Sequence, residues 1–185
     1  MEINRTALDD VVEIIPTVHG DHRGWFSESY NAAAFAEAGL PTEWAQDNES
    51  LSAAPWTIRG LHFQTAPSAQ AKLLRVLQGS AFDVAVDLRR GSATFGQHAS
   101  VTLTSATRNQ ILIPEGFGHG FCTLEPNTIV SYKVSSGYAP DCDRGVRWDD
   151  PAIGIEWPLP AGADPVISDR DRDSPLLADA PDLFD

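Results

Sequence analysis

The sequence contains little cysteine and no long hydrophobic run. Two cysteines, Cys122 and Cys142, are too few to staple a chain of 185 residues, so we expect free thiols and a reducing, cytoplasmic setting. No apolar stretch is long enough to span a bilayer, and the polar residues 1–10 do not resemble a secretory signal. These absences argue against a membrane protein and against a secreted, disulfide-stabilised one.

Basic residues are also scarce. Thirteen Lys and Arg oppose 26 Asp and Glu, giving a formal net charge of -13. Because nucleic acids and anionic lipids are polyanions, this balance argues against both as partners. The charge is uneven, since residues 50–82 contain no carboxylate but hold Arg59, His62, Lys72 and Arg75. A locally positive region therefore lies within an acidic protein.

Apolar and aromatic residues are abundant. Hydrophobic residues make up 42% of the chain, with 5 Trp, 3 Tyr and 8 Phe, which excludes a disordered protein. The length suits one domain covering residues 1–185.

The dominant periodicity is two. Over residues 80–88, Phe82, Val84 and Val86 alternate with small or acidic residues, which predicts a strand with one buried face. Residues 72–78 predict a second strand, and Gly79 between the two predicts a hairpin. Further short strands are predicted at 11–15, 25–30, 43–48, 57–62, 98–103, 110–113, 119–124 and 128–134.

Helical signals are few. Asn31 as N-cap and Gly39 as terminator predict one helix over residues 31–38. From about residue 158 the chain is rich in Pro, Asp and Ala, which predicts a surface tail with a short helix near residues 175–180. Many short strands with Gly and Pro between them indicate a sandwich or jelly roll.

Three groups of residues could carry chemistry. In residues 59–64, His62 lies near Arg59 and Lys72 and could act as a general base, although strict alternation would put Arg59 and His62 on opposite faces unless a bulge intervenes. Glycines surround His119 in residues 113–121, either as a tight turn or as a close approach to a ligand. Tyr132 is either a core residue or a general acid.

The sequence offers no familiar cofactor motif. Neither G-x-G-x-x-G nor the P-loop pattern is present. Two residues after His62 comes Gln64 rather than a second histidine, so we expect no metal site.

Taken together, these groups resemble the dTDP-4-dehydrorhamnose 3,5-epimerase family of nucleotide-sugar enzymes. The matching segments run in order along nearly the whole chain: DHRGWFSESY (21–30), QDNES (46–50), RGLHFQ (59–64), QAKL (70–73), FDVAVDLR (82–89), SATFG (92–96), IPEGFGHGF (113–121), YK (132–133), WDD (148–150), GIEWP (154–158) and SDRD (168–171).

The resemblance implies an all-β, cupin-type jelly roll (double-stranded β-helix) with a few short helices, working without metal or organic cofactor. It implies that His62 is the base, with Asp171 hydrogen-bonded behind it. Lys72 would face the sugar C4 carbonyl, and Tyr132 would donate a proton on the opposite face. The implied reaction inverts C3 and C5 of dTDP-4-dehydro-6-deoxy-D-glucose.

The resemblance also implies a dTDP-sugar site and a homodimer. The segment with Arg23 and Glu28 would reach the partner's site. Two positions depart from the common family pattern, because Arg170 stands where Lys is frequent and Asp143 where Glu is frequent. The implied substrate contacts are Arg23, Glu28, Gln46, Asp47, Asn48, Arg59, Lys72, His119, Asp143 and Arg170.

Other functions remain open from the sequence. The nearest are a C3-only or C5-only epimerase and a related 3,4-ketoisomerase. From other classes come a non-catalytic nucleotide-sugar binding cupin and a metal-dependent cupin oxygenase or isomerase.

Overall fold

The computed structural model describes residues 1–185. Short strands dominate the chain, and helical segments are few and short. The elements are β1 (Glu2–Arg5), β2 (Val12–Ile15), β3 (Val18–Asp21), β4 (Gly24–Ser27), α1 (Ala32–Glu37), β5 (Gln46–Ser52), β6 (Ile58–Gln64), β7 (Lys72–Gln78), β8 (Ser80–Asp87), β9 (His98–Thr104), β10 (Gln110–Ile113), β11 (Phe117–Thr123), β12 (Thr128–Val134), a 3₁₀ turn (Pro140–Cys142), β13 (Asp143–Gly145) and α2 (Asp169–Arg172).

Two antiparallel sheets face each other. The six-stranded sheet has the order β1-β2-β10-β7-β12-β5, and the five-stranded sheet has the order β13-β6-β11-β8-β9. Between them lies the main core, to which both sheets contribute; its members include Leu74, Val76, Ala85, Leu103 and Phe121. This arrangement confirms the predicted all-β jelly roll.

The helix predicted over residues 31–38 is present as α1. Asn31 caps it, with its side-chain oxygen accepting hydrogen bonds from the N–H groups of Ala33 and Ala34. Phe35 is its buried residue and packs with Ile14 and Leu73 on the outer face of the six-stranded sheet. The helix therefore covers the side of this sheet that faces away from the main core.

The predicted hairpin across Gly79 is wrong. Strand β7 pairs with β10 and β12, whereas β8 pairs with β9 and β11, so the turn carries the chain from one sheet to the other. Gly79 has φ of +78°, and a Cβ there would lie 2.5 Å from Thr128 Oγ1. A glycine is therefore required at this crossing, as it would be in a hairpin, and the local signal does not distinguish the two.

The C-terminal tail also differs from the prediction. Its short helix is α2 at Asp169–Arg172 rather than a helix near residues 175–180. The tail is not confined to the surface, because Leu177 and Ala180 are buried with Val84 and Val86 against the outer face of the five-stranded sheet. None of the helices has the length or apolar character that crossing a lipid bilayer requires.

Candidate active site

A cavity of about 540 Å³ opens between the two sheets. The five-stranded sheet contributes Arg59, His62 and His119, and the six-stranded sheet contributes Lys72 and Tyr132. Helix α2 closes one side with Asp171 and Arg170. The structure thus brings together the four predicted catalytic residues.

His62 and Asp171 form a close pair. His62 Nε2 lies 2.7 Å from Asp171 Oδ1, and the second carboxylate oxygen accepts a hydrogen bond from the Gly60 N–H at 3.2 Å. Burial alone would raise the pKa of Asp171, but the hydrogen bonds from His62, Gly60 and Ser168 hold it below its usual value. An ionised carboxylate accepts a hydrogen bond from Nε2–H and so fixes the proton on that nitrogen, which leaves the His62 Nδ1 lone pair available as a base.

A bulge in β6 places Arg59 and His62 on the same cavity. His62 is opposite His119 and Arg59 is opposite Phe121, so two residues of β6 oppose one residue of β11. Gly60 lies in this bulge with φ of +129°, and a Cβ there would lie 2.5 Å from the Gly120 Cα. The bulge that Arg59 and His62 need in order to line one cavity is therefore present.

Lys72 is a buried cation. Its Nζ donates a hydrogen bond to the backbone carbonyl of His62 at 3.1 Å. Burial lowers the pKa of Lys72 to about 8, against the opposing charges of Asp83 and Asp143. Such an ammonium is suited to stabilise negative charge that develops beside it.

His119 has a partner that the sequence interpretation missed. Its Nε2 lies 3.0 Å from Asp83 Oδ2, and both side chains are buried. Burial lowers the pKa of His119, with Lys72 and His62 adding to that effect and Asp83 opposing it. Alternation in the sequence places Asp83 on the polar, outward face of its strand. The pair becomes visible only in the structure, where β8 pairs with β11, the strand that carries His119.

Tyr132 projects from the wall opposite His62. It lies on β12 of the six-stranded sheet, whereas His62 lies on β6 of the five-stranded sheet. Burial raises the pKa of Tyr132, and the charge of Arg59 partly offsets this. The hydroxyl is therefore protonated at neutral pH and able to donate a proton.

A second lobe of about 240 Å³ adjoins the first and shares His62, Lys72, Tyr132 and Arg170 with it. Arg170 pairs with Asp143 at 2.7 Å, so the two positions that depart from the family pattern contact each other. The Tyr138 hydroxyl donates to the same Asp143 carboxylate at 3.2 Å. The remaining polar lining residues of this lobe are Gln46, Asn48, Gln64 and Gln70.

Three predicted binding residues lie elsewhere in this chain. Arg23 sits in the turn between β3 and β4, exposed and paired with Asp21 at 2.6 Å, and Glu28 directly follows this hairpin. Asp47 lies on β5 next to Gln46 and Asn48 but pairs with Lys133 at 3.0 Å and does not line the cavity. No group of three or more His, Cys, Asp or Glu side chains is arranged to hold a metal ion.

Comparison with known proteins identifies the family of this chain. The family model for dTDP-4-dehydrorhamnose 3,5-epimerase matches residues 5–179. The enzyme of that name from Methanothermobacter thermautotrophicus is 47% identical over 177 residues, covering 96% of this chain and 95% of the relative. The one from Pseudomonas aeruginosa is 46% identical over 181 residues, covering 97% and 98%.

Solved structures give the same result. The crystal structure of the Bacillus anthracis dTDP-4-dehydrorhamnose 3,5-epimerase with TDP and PPi bound has a TM-score of 0.90 and 46% identity, covering 95% of this chain and 98% of that one. A 3'-monoepimerase from Streptomyces bikiniensis in complex with dTDP-quinovose has a TM-score of 0.87 and 34% identity, covering 94% and 87%. The chain belongs to the dTDP-4-dehydrorhamnose 3,5-epimerase family, whose members are isomerases.

Proposed function

We propose that the protein inverts C3 and C5 of dTDP-4-dehydro-6-deoxy-D-glucose to give dTDP-4-dehydro-L-rhamnose, using side chains alone. One observation carries the proposal. A His62–Asp171 pair and a buried tyrosine hydroxyl project from opposite sheets into one cavity that also contains the Lys72 ammonium. Inversion at carbon needs proton removal on one face and proton delivery on the other, and this arrangement supplies a group for each.

His62 begins the reaction. The C4 ketone acidifies the protons on C3 and C5, and His62 Nδ1 removes one of them as the electron pair of the C–H bond moves to the carbonyl oxygen. The resulting enolate carries its charge on O4, where the Lys72 ammonium stabilises it. Asp171 stabilises the imidazolium that forms, as the acid does in Ser-His-Asp sites.

Tyr132 completes the inversion. Its hydroxyl gives a proton to the same carbon from the opposite face, and the C4 carbonyl re-forms. The resulting phenolate then regains a proton from solvent and the His62 imidazolium releases its proton to solvent, which restores both groups. The raised pKa of Tyr132 keeps the hydroxyl protonated until it transfers its proton to the enolate carbon. Repeating the cycle at the other carbon gives the doubly inverted product.

The remaining residues bind the nucleotide sugar. Arg59 and Arg170 are matched to diphosphate oxygens, and TDP in the Bacillus anthracis relative supports such a ligand. The other proposed contacts within this chain are Gln46, Asn48, His119 and Asp143.

Arg23 and Glu28 would reach the partner's site in a cytoplasmic homodimer, and Asp47, beside Gln46 and Asn48 on β5, is a further proposed substrate contact. The hairpin of β3 and β4 exposes Val18, Trp25 and Phe26, at 43%, 58% and 68% of their surface, which supports its burial by a second copy. Residues 1–185 would act as one domain, because the tail supplies Asp171 to a site that the two sheets build.

Solvent isotope exchange tests the proposal. In deuterated water, wild-type protein should incorporate deuterium at C3 and C5 of dTDP-4-dehydro-6-deoxy-D-glucose. His62→Ala should abolish exchange at both carbons, whereas Tyr132→Phe should retain exchange and lose inversion. Pure, folded wild-type protein that exchanges neither carbon would refute the assignment.

A C3-only epimerase is the second candidate. Its support is the 34% identity to the Streptomyces 3'-monoepimerase over 94% of this chain. Product stereochemistry at C5 in the same experiment separates the two activities.

A further inference from the structure

The Arg59 guanidinium is anchored to the edge of the opposite sheet. Its Nε donates to Ser52 Oγ at 3.3 Å, and its Nη2 donates to the Leu51 carbonyl at 3.2 Å. Arg59 belongs to β6 and lines the cavity, whereas Ser52 is the last residue of β5, so the contact joins the two sheets beside the cavity. Of the five N–H groups of a guanidinium, these two bonds use two and leave three for an anion.

Ser52 is almost fully buried, with only 3% of its surface exposed. Its buried hydroxyl accepts a hydrogen bond from a side chain that is itself exposed. An exposed arginine without anchors samples many rotamers, and ordering it on ligand binding costs free energy. An acceptor fixed in a buried strand end removes much of that cost before the ligand arrives.

We propose that Ser52 is a positioning residue that preorganises Arg59 for the diphosphate of the nucleotide sugar. Ser52 does not itself touch the ligand; it acts through the Arg59 side chain. The inference rests on the proposed function, because that function supplies the diphosphate.

Calorimetric binding of two probes tests it. dTDP carries the diphosphate and thymidine does not, so loosening Arg59 should weaken only the former. Ser52→Ala should raise the Kd of dTDP about three- to tenfold, the worth of one hydrogen bond, and should leave the Kd of thymidine unchanged. Ser52→Thr, which retains the hydroxyl, should bind dTDP about as wild type does.

A double-mutant cycle separates positioning from a general packing defect. In an Arg59→Ala background the Ser52→Ala change should have no further effect on dTDP binding, because the group that it positions is gone. Ser100→Ala, on the exposed face of β9, is the matched control and should leave both affinities unchanged.

Three results would overturn the inference. Wild-type affinity of Ser52→Ala for dTDP would show that Arg59 needs no anchor. Equal weakening of thymidine, or additivity with Arg59→Ala, would show that Ser52 acts on packing rather than on Arg59. Wild-type protein that binds no dTDP would overturn the proposed function as well.

Discussion

Lys72 is a charged residue held almost entirely out of water, with 7% of its surface exposed. Its burial lowers the pKa to about 8, while the nearby Asp83 and Asp143 carboxylates act in the opposite direction. A lysine on the protein surface would stay protonated far above neutral pH. The proposed enolate-stabilising cation is therefore present below about pH 8 and is lost as the pH rises above it.

We expect kcat/KM to fall above about pH 8, by about tenfold for each further pH unit. Tyr132 does not account for this decrease in kcat/KM, because its pKa is raised above its ordinary value. A profile of kcat/KM from pH 6 to 10 measures the decrease.

Two Asp-to-Asn variants test whether deprotonation of Lys72 causes the fall in kcat/KM. Asp83→Asn removes a charge that raises the pKa of Lys72, so the fall should begin at lower pH. Asp149→Asn, at an exposed pair with Arg147, should leave it in place. If the fall in kcat/KM occurs at the same pH in Asp83→Asn as in wild type, a group other than Lys72 causes it.

Asp83 also illustrates what alternation in a sequence leaves open. The pattern over residues 80–88 predicted Phe82, Val84 and Val86 on the buried face and Asp83 on the outer one. Val84 and Val86 do pack against the tail, but Asp83 is fully buried on the face toward the cavity. Alternation identifies two faces of a strand, whereas the covering of each face depends on residues far away in the chain.

At the scale of elements, β6 shows how parity can predict a local irregularity. Arg59 and His62 are three residues apart, so a regular strand would separate them, and the two-against-one pairing with β11 brings them together. The strands themselves were largely predictable, and β7, β10 and β12 have the predicted bounds. Which strands pair with which could not be predicted, because a short turn such as the one at Gly79 fits both a hairpin and a crossing between sheets.

The bulge depends on Gly60. Gly60→Ala should lower the free energy of unfolding by about 3 kcal/mol or more, because a Cβ would lie 2.5 Å from the Gly120 Cα and φ is +129°. Urea denaturation measures this loss. Gly91→Ala, where a Cβ would meet nothing within 4 Å, is the control and should unfold as wild type does. Equal stability of the two variants would contradict a sterically required glycine.

At the scale of the whole molecule, the candidate active site is assembled from distant parts of the chain. The two sheets supply the cavity walls, and the tail returns across the five-stranded sheet to deliver Asp171. Arg23, in the turn of the β3–β4 hairpin, does not line this cavity and pairs only with its neighbour Asp21. This placement is the basis for the proposal that Arg23 contacts the site of a second copy of the chain.

Subunit complementation tests this arrangement. His62→Ala and Arg23→Ala homodimers should each be nearly inactive. In a heterodimer, the Arg23→Ala subunit keeps a site with His62, and the His62→Ala partner supplies the hairpin with Arg23 to that site. Random mixing should therefore restore about a quarter of wild-type activity, since about half of the dimers are mixed and each has one intact site. If each hairpin served its own subunit, no mixture would contain an intact site, and activity would not recover at any ratio of the two variants.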